Sequence, residues 1–583
     1  MRKSRQPLNS CCLKVLPALV LGALLGACSE TFTRQESAAN DCRGNTIPIS
    51  SVQGKGYRSP LVDSDVTISG IVTHISTGGG FYLENSEPRK DGAASRAIFI
   101  ADDKLPGSVQ SGQRLEISGR VTETGSGRDT LTALTEISRH RVCGGYEELP
   151  VTTAELPMDS PMRESLEGMR VELGQSLTVT DVYQLAKGEV TLSPDGVLRI
   201  PTEVAMPGVF AQRLEQKNRN TGIVANLPSP PAPVPVGSVV RTVTGVMGHN
   251  GRDQQLFPER MPTFEVPSPP ALEPAANGHI RIVSSNLLNF FNGDGSGGGF
   301  PTERGAKSPV EFAAQSNRTR AVMERIQPHL LAVQELENDG FGPDSAAHSL
   351  LTLLNAAGKD DWAFIAPGNG PIGGDVITVG LYYRQDILEA IGPPQTLDSD
   401  PFTGLSRRPL AQAFRERRSG KTFLVAANHL KSKGSCPDDG PNMNQRDGQG
   451  CWNRARVEAV NAQLPWLAEL AKREGTGNIL VLGDMNAWRN EDPIRQFADA
   501  GYVDLVEHLA GLPQHSFLYW GQTGTLDYTF ASPPMAEFAR HAVIWHINAD
   551  WPRNMEQFEP WLRASDHDPV IVDFDFSHPS TSD

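Results

Sequence analysis

The sequence has no excess of positive charge, no second long apolar run and little cysteine, and each shortage excludes something. Against 53 Lys and Arg stand 68 Asp and Glu, a net charge of −15, so no bulk basic field holds a polyanion by counterion release. Any handling of nucleic acid must then draw its positive charge from metal ions or from local Arg and Lys. Past the leader no segment reaches 18 uninterrupted apolar residues, so nothing there reads as a spanning helix. Glycine and proline, 56 and 44, make up about 17% of the 583 residues. That is short of the roughly 25–30% of low-complexity chains, and neither disorder nor collagen fits. At roughly 150 residues per domain, the length predicts three or four domains.

What is present begins with a leader. Arg2, Lys3, Arg5 and Lys14 occur with no acid before Val15, and Val15 to Ala27 is apolar and small. The run is too short to span a bilayer and fits a signal-peptide core. Leu25-Gly26-Ala27-Cys28 resembles a bacterial lipobox, which implies a lipidated Cys28 as the mature N-terminus. The expectation is an exported protein, lipid-anchored to the outer membrane or cell surface, or secreted. Of seven cysteines, Cys11 and Cys12 leave with the leader and Cys28 takes lipid. Cys42, Cys143, Cys436 and Cys451 remain, and an even remainder in an exported chain predicts two disulfides. Cys436 and Cys451 flank a polar loop, and Cys42 and Cys143 bracket the first folded region, so Cys436–Cys451 and Cys42–Cys143 are the expected pairs.

Behind a tether (28–46), residues 47–150 show short alternating runs such as Val66–Val72 and Arg114–Val121 between Gly- and Asp-rich turns, the pattern of a small antiparallel barrel. Residues 151–266 are β-like again, with a weak echo of the first region's closing strand at Val239–Val246. A Pro-rich linker (267–278) reads as a stiff spacer. From 279 to 576 apolar strands alternate with helical patterns, at 316–326 and 452–473 for example. This predicts an α/β or α+β domain, most naturally two stacked sheets flanked by helices, for which we take the α+β four-layer form, before a short tail (577–583).

Five apolar runs of this last region each end in a compact polar group: Asn286 and Asn289, Gln334-Glu335, Asn428-His429, Asp484-Met485-Asn486, and Ser565-Asp566-His567-Asp568 before the final strand. One carboxylate after a strand is ordinarily a turn or helix cap. Five mixed groups with few basic residues between them predict a convergent acidic pocket at the strand ends. Hard oxygen donors of this kind suit Mg²⁺, Mn²⁺ or Ca²⁺ better than Zn²⁺.

These motifs, with Asn428-His429-Leu430-Lys431-Ser432-Lys433, Gly483-Asp484-Met485-Asn486 and Leu526-Asp527-Tyr528 in order, resemble the endonuclease/exonuclease/phosphatase family. Within it they are similar to bacterial extracellular nucleases related to pancreatic deoxyribonuclease. The first region, with Gly79-Gly80-Phe81-Tyr82-Leu83, resembles the OB-like module those nucleases carry upstream, and the second β-rich region is taken as OB-like too. The resemblance implies a metal-dependent phosphodiesterase acting on DNA, and on RNA as an alternative, with Mg²⁺ foremost as cofactor. It implies Glu335 as the principal metal ligand, supported by Asn286 and Asp566. Asp484 and Asn486 complete the pocket, His429 and His567 flank the scissile phosphate, and Asp527 orients one of them. Arg408 is the expected phosphate contact, with Asn289 and Asn428 nearby, and Asp375 is a weaker candidate partner for His429. Cys451 stands where the family more usually has Asn, which supports a local pairing with Cys436.

The chemistry needs these types. A phosphodiester anion resists attack by water unless a divalent ion neutralises its oxygens, and two imidazoles titrating near neutrality can take and give the two protons. Two other readings stand beside the nuclease: a phosphoesterase of the same fold acting on phospholipid or sugar phosphate, and a non-catalytic surface binding protein. No protein partner is implied. His515, like His74, His140, His249, His348 and His508, reads as a surface or satisfied core residue.

Overall fold

The protein is described from a computed structural model over residues 44–86, 94–126, 129–148, 151–229, 233–250, 253–356, 361–553 and 559–577. Cys28 and Cys42, and with them the expected lipidation and the Cys42–Cys143 pairing, lie outside the described residues. No described helix is long and apolar enough to cross a membrane.

Five strands close the first barrel in the order Asp65–Ile75, Phe81–Glu84, Ala97–Ile100, Asp129–Tyr146 and Gln113–Ser126. Alternation fills it: Ile68, Val72, Phe81, Leu83, Ile98, Ile100, Leu115 and Ile117 point inward, and helix Ile49–Gln53 adds Ile49 and Val52. Tyr82 points the other way, yet it too is buried, packed with Leu131 and Val246 of the next unit and accepting the His249 N–H on its hydroxyl. Neither Phe81 nor Tyr82 is therefore open to a ligand.

The second region is an eight-stranded sheet rather than another small barrel. Its order runs Val239–Val240, Leu177–Asp181, Glu189–Ser193, Ile223–Asn226, Gln254–Pro258, Val243–His249, Arg170–Leu173 and Thr152–Ala154. It touches both neighbours. On the barrel side Gln53 Nε2 donates to Glu167 Oε1 at 2.9 Å and the Thr132 N–H donates to the same oxygen at 3.3 Å. On the other side Glu203 is buried against Arg489 of the last unit, Oε1 to Nε 3.1 Å, and Thr202 donates to Glu491 at 2.9 Å.

The last unit has the expected four layers. One six-stranded sheet has Leu330–Glu337 and Ile280–Phe290 parallel at its centre, with Val570–Phe574 beside them. The other has Thr422–His429 and Ile479–Asp484 parallel at its centre, with Asp527–Ala531 next. Period-two alternation explains the stacking. Ile280, Ile282, Leu330 and Ala332 meet Phe414, Phe423, Val425, Leu480 and Leu482 between the sheets. Val283, Leu331 and Val333 turn outward under helices Pro309–Ile326 and Ala346–Asn355. Across the molecule Leu424, Val481 and Phe530 turn outward under Asn453–Arg473 and Asp492–Asp499. Strands buried on both faces read as continuous apolar runs, which is why they were visible in the sequence. Arg281 and Asp573 tie the first and last strands by two buried contacts, 2.7 and 2.8 Å.

Candidate active site

The two parallel strand pairs end at one edge of the sandwich, and backbone irregularities there aim the side chains. Strand Ile280–Phe290 runs in register with Leu330–Glu337 until Asn286 faces Gln334, and then the register breaks before Phe290. Within the break Leu288, Asn289 and Glu335 all lie at positive φ, 54°, 54° and 60°. Non-glycine residues held there cost roughly 1–3 kcal/mol each and persist where the surroundings over-determine them. Gln315 supplies that constraint, its Nε2 donating to the Leu287 and Leu288 carbonyls at 3.0 Å each. In the facing sheet Gly483, φ 134°, lies so close to Asn428 that a Cβ would come within 2.0 Å of the Asn428 carbonyl, so only glycine lets Asp484 follow.

Glu335 Oε2 accepts the Asn289 N–H at 2.9 Å, and Oε1 faces Asn286 Nδ2 at 3.3 Å. Burial and then the charge of Asp566 push its carboxyl above the usual range. Asp484 lies between the sheets' contributions: its Oδ1 accepts the Asn486 N–H at 2.8 Å, and its Oδ2 stands 3.5 Å from Asn286 Nδ2, 3.4 Å from His429 Nε2 and 4.0 Å from His567 Nε2. Burial raises Asp484 to about 7, with the His567 charge opposing the rise.

The two imidazoles meet opposite surroundings. His567 Nδ1 rests on Asp527 Oδ2 at 2.7 Å, and Ser516 Oγ donates to that same oxygen at 2.7 Å. Burial disfavours its cation, but Asp527 and Asp484 outweigh burial and hold His567 well above the usual imidazole range. Burial and then Arg407 drive His429 well below it, and His429 Nδ1 has no hydrogen-bond partner among the described residues.

The structure thus brings together Asn286, Asn289, Glu335, His429, Asp484, Asn486, Asp527 and His567. Asp566 is adjacent, its charge felt at Glu335 and at His567. Asn428 supports from behind, its Oδ1 accepting from the buried Gln463 amide. Two expectations change. Asp375 does not reach His429: it pairs with Arg407 at 2.9 Å and lies 4.0 Å from Arg304, because both arginines enter that side of the pocket. Arg408 pairs with Asp398 at 2.5 Å, while its neighbour Arg407 turns its charge on Glu335 and His429. Neither Arg407 nor Ser516 carries a signal of its own in the sequence; the adjacent Arg407-Arg408 points to one phosphate-facing arginine without distinguishing the two. His515 is satisfied, Nε2 on Asp550 at 2.9 Å, and its ring stacks on His546 at 4.1 Å with planes 12° apart. With Asp568 these two could surround an ion, but near-parallel rings send their in-plane lone pairs side by side rather than to a common point.

The carboxylates of Glu335 and Asp566 fit a hard divalent cation: two like charges oppose each other, and an ion between them removes the repulsion. Asn286 presents Nδ2 here while its Oδ1 accepts the Leu288 N–H at 2.9 Å, so it would join them through its oxygen only after the amide turns over.

Residues 283–567 match the Endonuclease/Exonuclease/phosphatase family. Its members are hydrolases acting on phosphoester bonds and use divalent metals. Among curated proteins none matches the chain. Similar solved structures include the human Nocturnin catalytic domain with bound sulfate anion, 18% identical, covering 52% of this chain and 95% of that one, TM-score 0.34. A mannosyl-6-phosphatase of Bacteroides thetaiotaomicron is 16% identical over 50% of this chain and 98% of its own, TM-score 0.34. D. rerio TDP2 complexed with single strand DNA product is 14% identical over 51% and 99%, TM-score 0.33.

Proposed function

We propose that the protein is an exported, surface-anchored or secreted nuclease that hydrolyses phosphodiester bonds of DNA, and of RNA as a second substrate, with a divalent metal ion, Mg²⁺ foremost. The observation that carries it is two imidazoles whose Nε2 atoms stand 3.4 and 4.0 Å from the same Asp484 Oδ2, next to an acidic donor set. Glu335, Asn286 and Asp566 would hold the ion, which when bound supplies charge neutralisation at the phosphate's non-bridging oxygens. Arg407 adds a fixed cation beside the same place, in a chain whose net charge offers no other general attraction for a polyanion.

In the reaction a water oxygen bonds to phosphorus, the bond to the leaving sugar oxygen breaks, and one proton moves at each end. His429, beside Arg407, takes the proton of the attacking water at Nε2. His567, ringed by carboxylates, gives the proton of its Nε2 to the leaving oxygen. Asp527, fixed by Ser516, holds the His567 ring with Nδ1 inward and so keeps Nε2 facing the pocket. Asn486, its Nδ2 tied to the Leu430 carbonyl at 3.1 Å, aligns the Asp484 carboxylate between the rings.

The test is the purified full chain on plasmid DNA, RNA, sphingomyelin and a sugar phosphate, each with Mg²⁺, Ca²⁺ or chelator. DNA cutting that chelator abolishes and Mg²⁺ restores is expected, with Glu335→Gln needing far more metal for the same rate. Turnover of sphingomyelin or the sugar phosphate with intact DNA would replace the nuclease reading by a phosphoesterase of the same fold.

A further inference from the structure

A short hairpin, Phe517–Tyr519 paired with Gln522–Gly524, leads out of the pocket and has no role in the chemistry above. Its root is at the reaction centre, where the Phe517 ring lies 4.5 Å from that of His567. Alternation then sends Leu518 into the core of the eight-stranded sheet, while Tyr519 returns to the face Phe517 occupies. At the tip Tyr519 is 54% exposed and Trp520 is 82% exposed, the two rings edge to face at 6.3 Å.

Such a tip would normally be mobile, but the second unit fixes it. Thr523 exchanges backbone hydrogen bonds with Leu198 and Ile200 at 2.8 and 3.0 Å, Asn218 donates to Gln522, and Thr180 Oγ1 donates to the Gly521 carbonyl. Gly521 packs on Asp181, two residues from the exposed Tyr183, over whose ring Arg553 lies at 5.1 Å. The Arg553 charge is felt at Arg563, which also feels Asp566, so cations continue back toward the proposed metal ligands.

We propose that Tyr519, Trp520 and Tyr183 form a stacking platform for the unpaired bases of a single-stranded nucleic acid whose scissile phosphate lies between His429 and His567. The proposal rests on the nuclease reading and adds to it a preference for single strands. At about 3.3 Å per residue Tyr519 stands roughly 7 Å beyond Phe517, the span of about two stacked nucleotides, and Trp520 follows at the turn. Stacking on an aromatic face is strong and tolerant of sequence, and it does not require the basic field this chain lacks. Exposed Tyr and Trp also suit a lipid surface, but a membrane contact gives no reason for the aromatic face to begin on His567.

The experiment compares full-length wild type with Trp520→Ala, Tyr519→Ala and Trp520→Phe on a single-stranded 12-mer, a dinucleotide and bis(4-nitrophenyl) phosphate. For each alanine variant the ratio of kcat/KM on the 12-mer to that on the small ester is expected to fall about 10-fold, through KM. The dinucleotide, too short to reach the tip, is expected to follow the small ester, and Trp520→Phe to recover most of the loss. An unchanged ratio with an active wild type overturns the platform and leaves the nuclease reading standing. So does binding of anionic phosphatidylglycerol vesicles that these variants abolish while the ratio holds. A wild type that cuts the small ester and no nucleic acid removes the nuclease reading itself.

Discussion

Side chain by side chain, the pocket separates two groups of one type by what stands next to them. His567 has Asp527 on one nitrogen and Asp484 near the other; His429 has Arg407 nearby and an Nδ1 with no hydrogen-bond partner among the described residues. Sites built to move protons in both directions set apart the proton affinities of their paired groups in this way. Replacing either histidine by alanine is expected to lower turnover on DNA by roughly 10²–10⁴-fold, with the double variant falling short of the product because both serve one transition state. A nitrophenolate leaves without a proton, so on bis(4-nitrophenyl) phosphate His567→Ala is expected to be largely spared and His429→Ala is not. Sparing of His429→Ala instead would exchange the two roles. Which residues the sequence revealed at this scale follows from geometry. Glu335, Asp484 and His429 stand at the ends of apolar strands, so a run of hydrophobic residues pointed at each. Arg407 and Arg408 are neighbours in one loop, and only folding decides which turns inward; Asp375 went to the inward one.

Among the elements, the segment between Cys436 and Cys451 joins two units. The cysteines are disulfide-linked, Cα–Cα 5.4 Å, and the loop they close offers the Asp447 carbonyl to the Gly208 N–H and the Arg446 carbonyl to Gln212. Cys451 then leads through Trp452, φ 64°, into helix Asn453–Arg473, whose Arg456 is buried and donates to the Lys431, Gln449 and Cys451 carbonyls. Closing a 15-residue loop restricts the unfolded chain by about 3 kcal/mol in the entropic picture. The Cys436→Ser/Cys451→Ser variant is expected to lose stability of that order in chemical denaturation, and wild type in reductant to match it. Loss well below 1 kcal/mol would mean that Arg456 and the helix hold the loop unaided. This linkage was legible from two cysteines around a polar stretch. The hairpin at Phe517 was not, because its partners, Leu198 and Thr180, lie more than 300 residues away.

Across the whole molecule, the eight-stranded sheet is the middle member of three, and each of its junctions buries an acid. At the four-layer unit Glu203 meets a cation, Arg489, and accepts the Thr525 N–H. At the barrel Glu167 has, among the described residues, only neutral donors, Gln53 and the Thr132 N–H, with Glu164 and Glu123 adding negative charge. Burial first, and then Glu164, raise Glu167 well above the ordinary carboxyl range. A carboxyl raised on folding binds its proton more tightly in the native state, so stability falls as pH climbs from about 4.5 through the folded value. Glu167→Gln is therefore expected to match wild type near pH 4 and to exceed it by about 1–3 kcal/mol at pH 8, read from unfolding curves at both pH values. A constant difference would show that Glu167 does not titrate with folding. The change near residue 279 from short β runs to strands alternating with helices could be read from composition and periodicity. The closeness of the parts could not, since it rests on contacts such as Arg489 with Glu203, 286 residues apart, that leave no local pattern.

The pairing of Ile280–Phe290 with Val570–Phe574, locked by Arg281 and Asp573, has a consequence for how the protein is made. A ribosome delivers the chain from one end, and the central strand of this sheet waits through nearly 300 residues for its neighbour. Until then one edge of Ile280–Phe290 is open, and Asp566 and His567 do not yet exist. Non-local closure of this kind is slow, and it comes late. A chain that has not yet reached Asp566 and His567 accordingly has no complete pocket, so the catalytic power proposed here would arise only after those residues and strand Val570–Phe574 have been made, and the cell that builds the protein would be spared its activity until then.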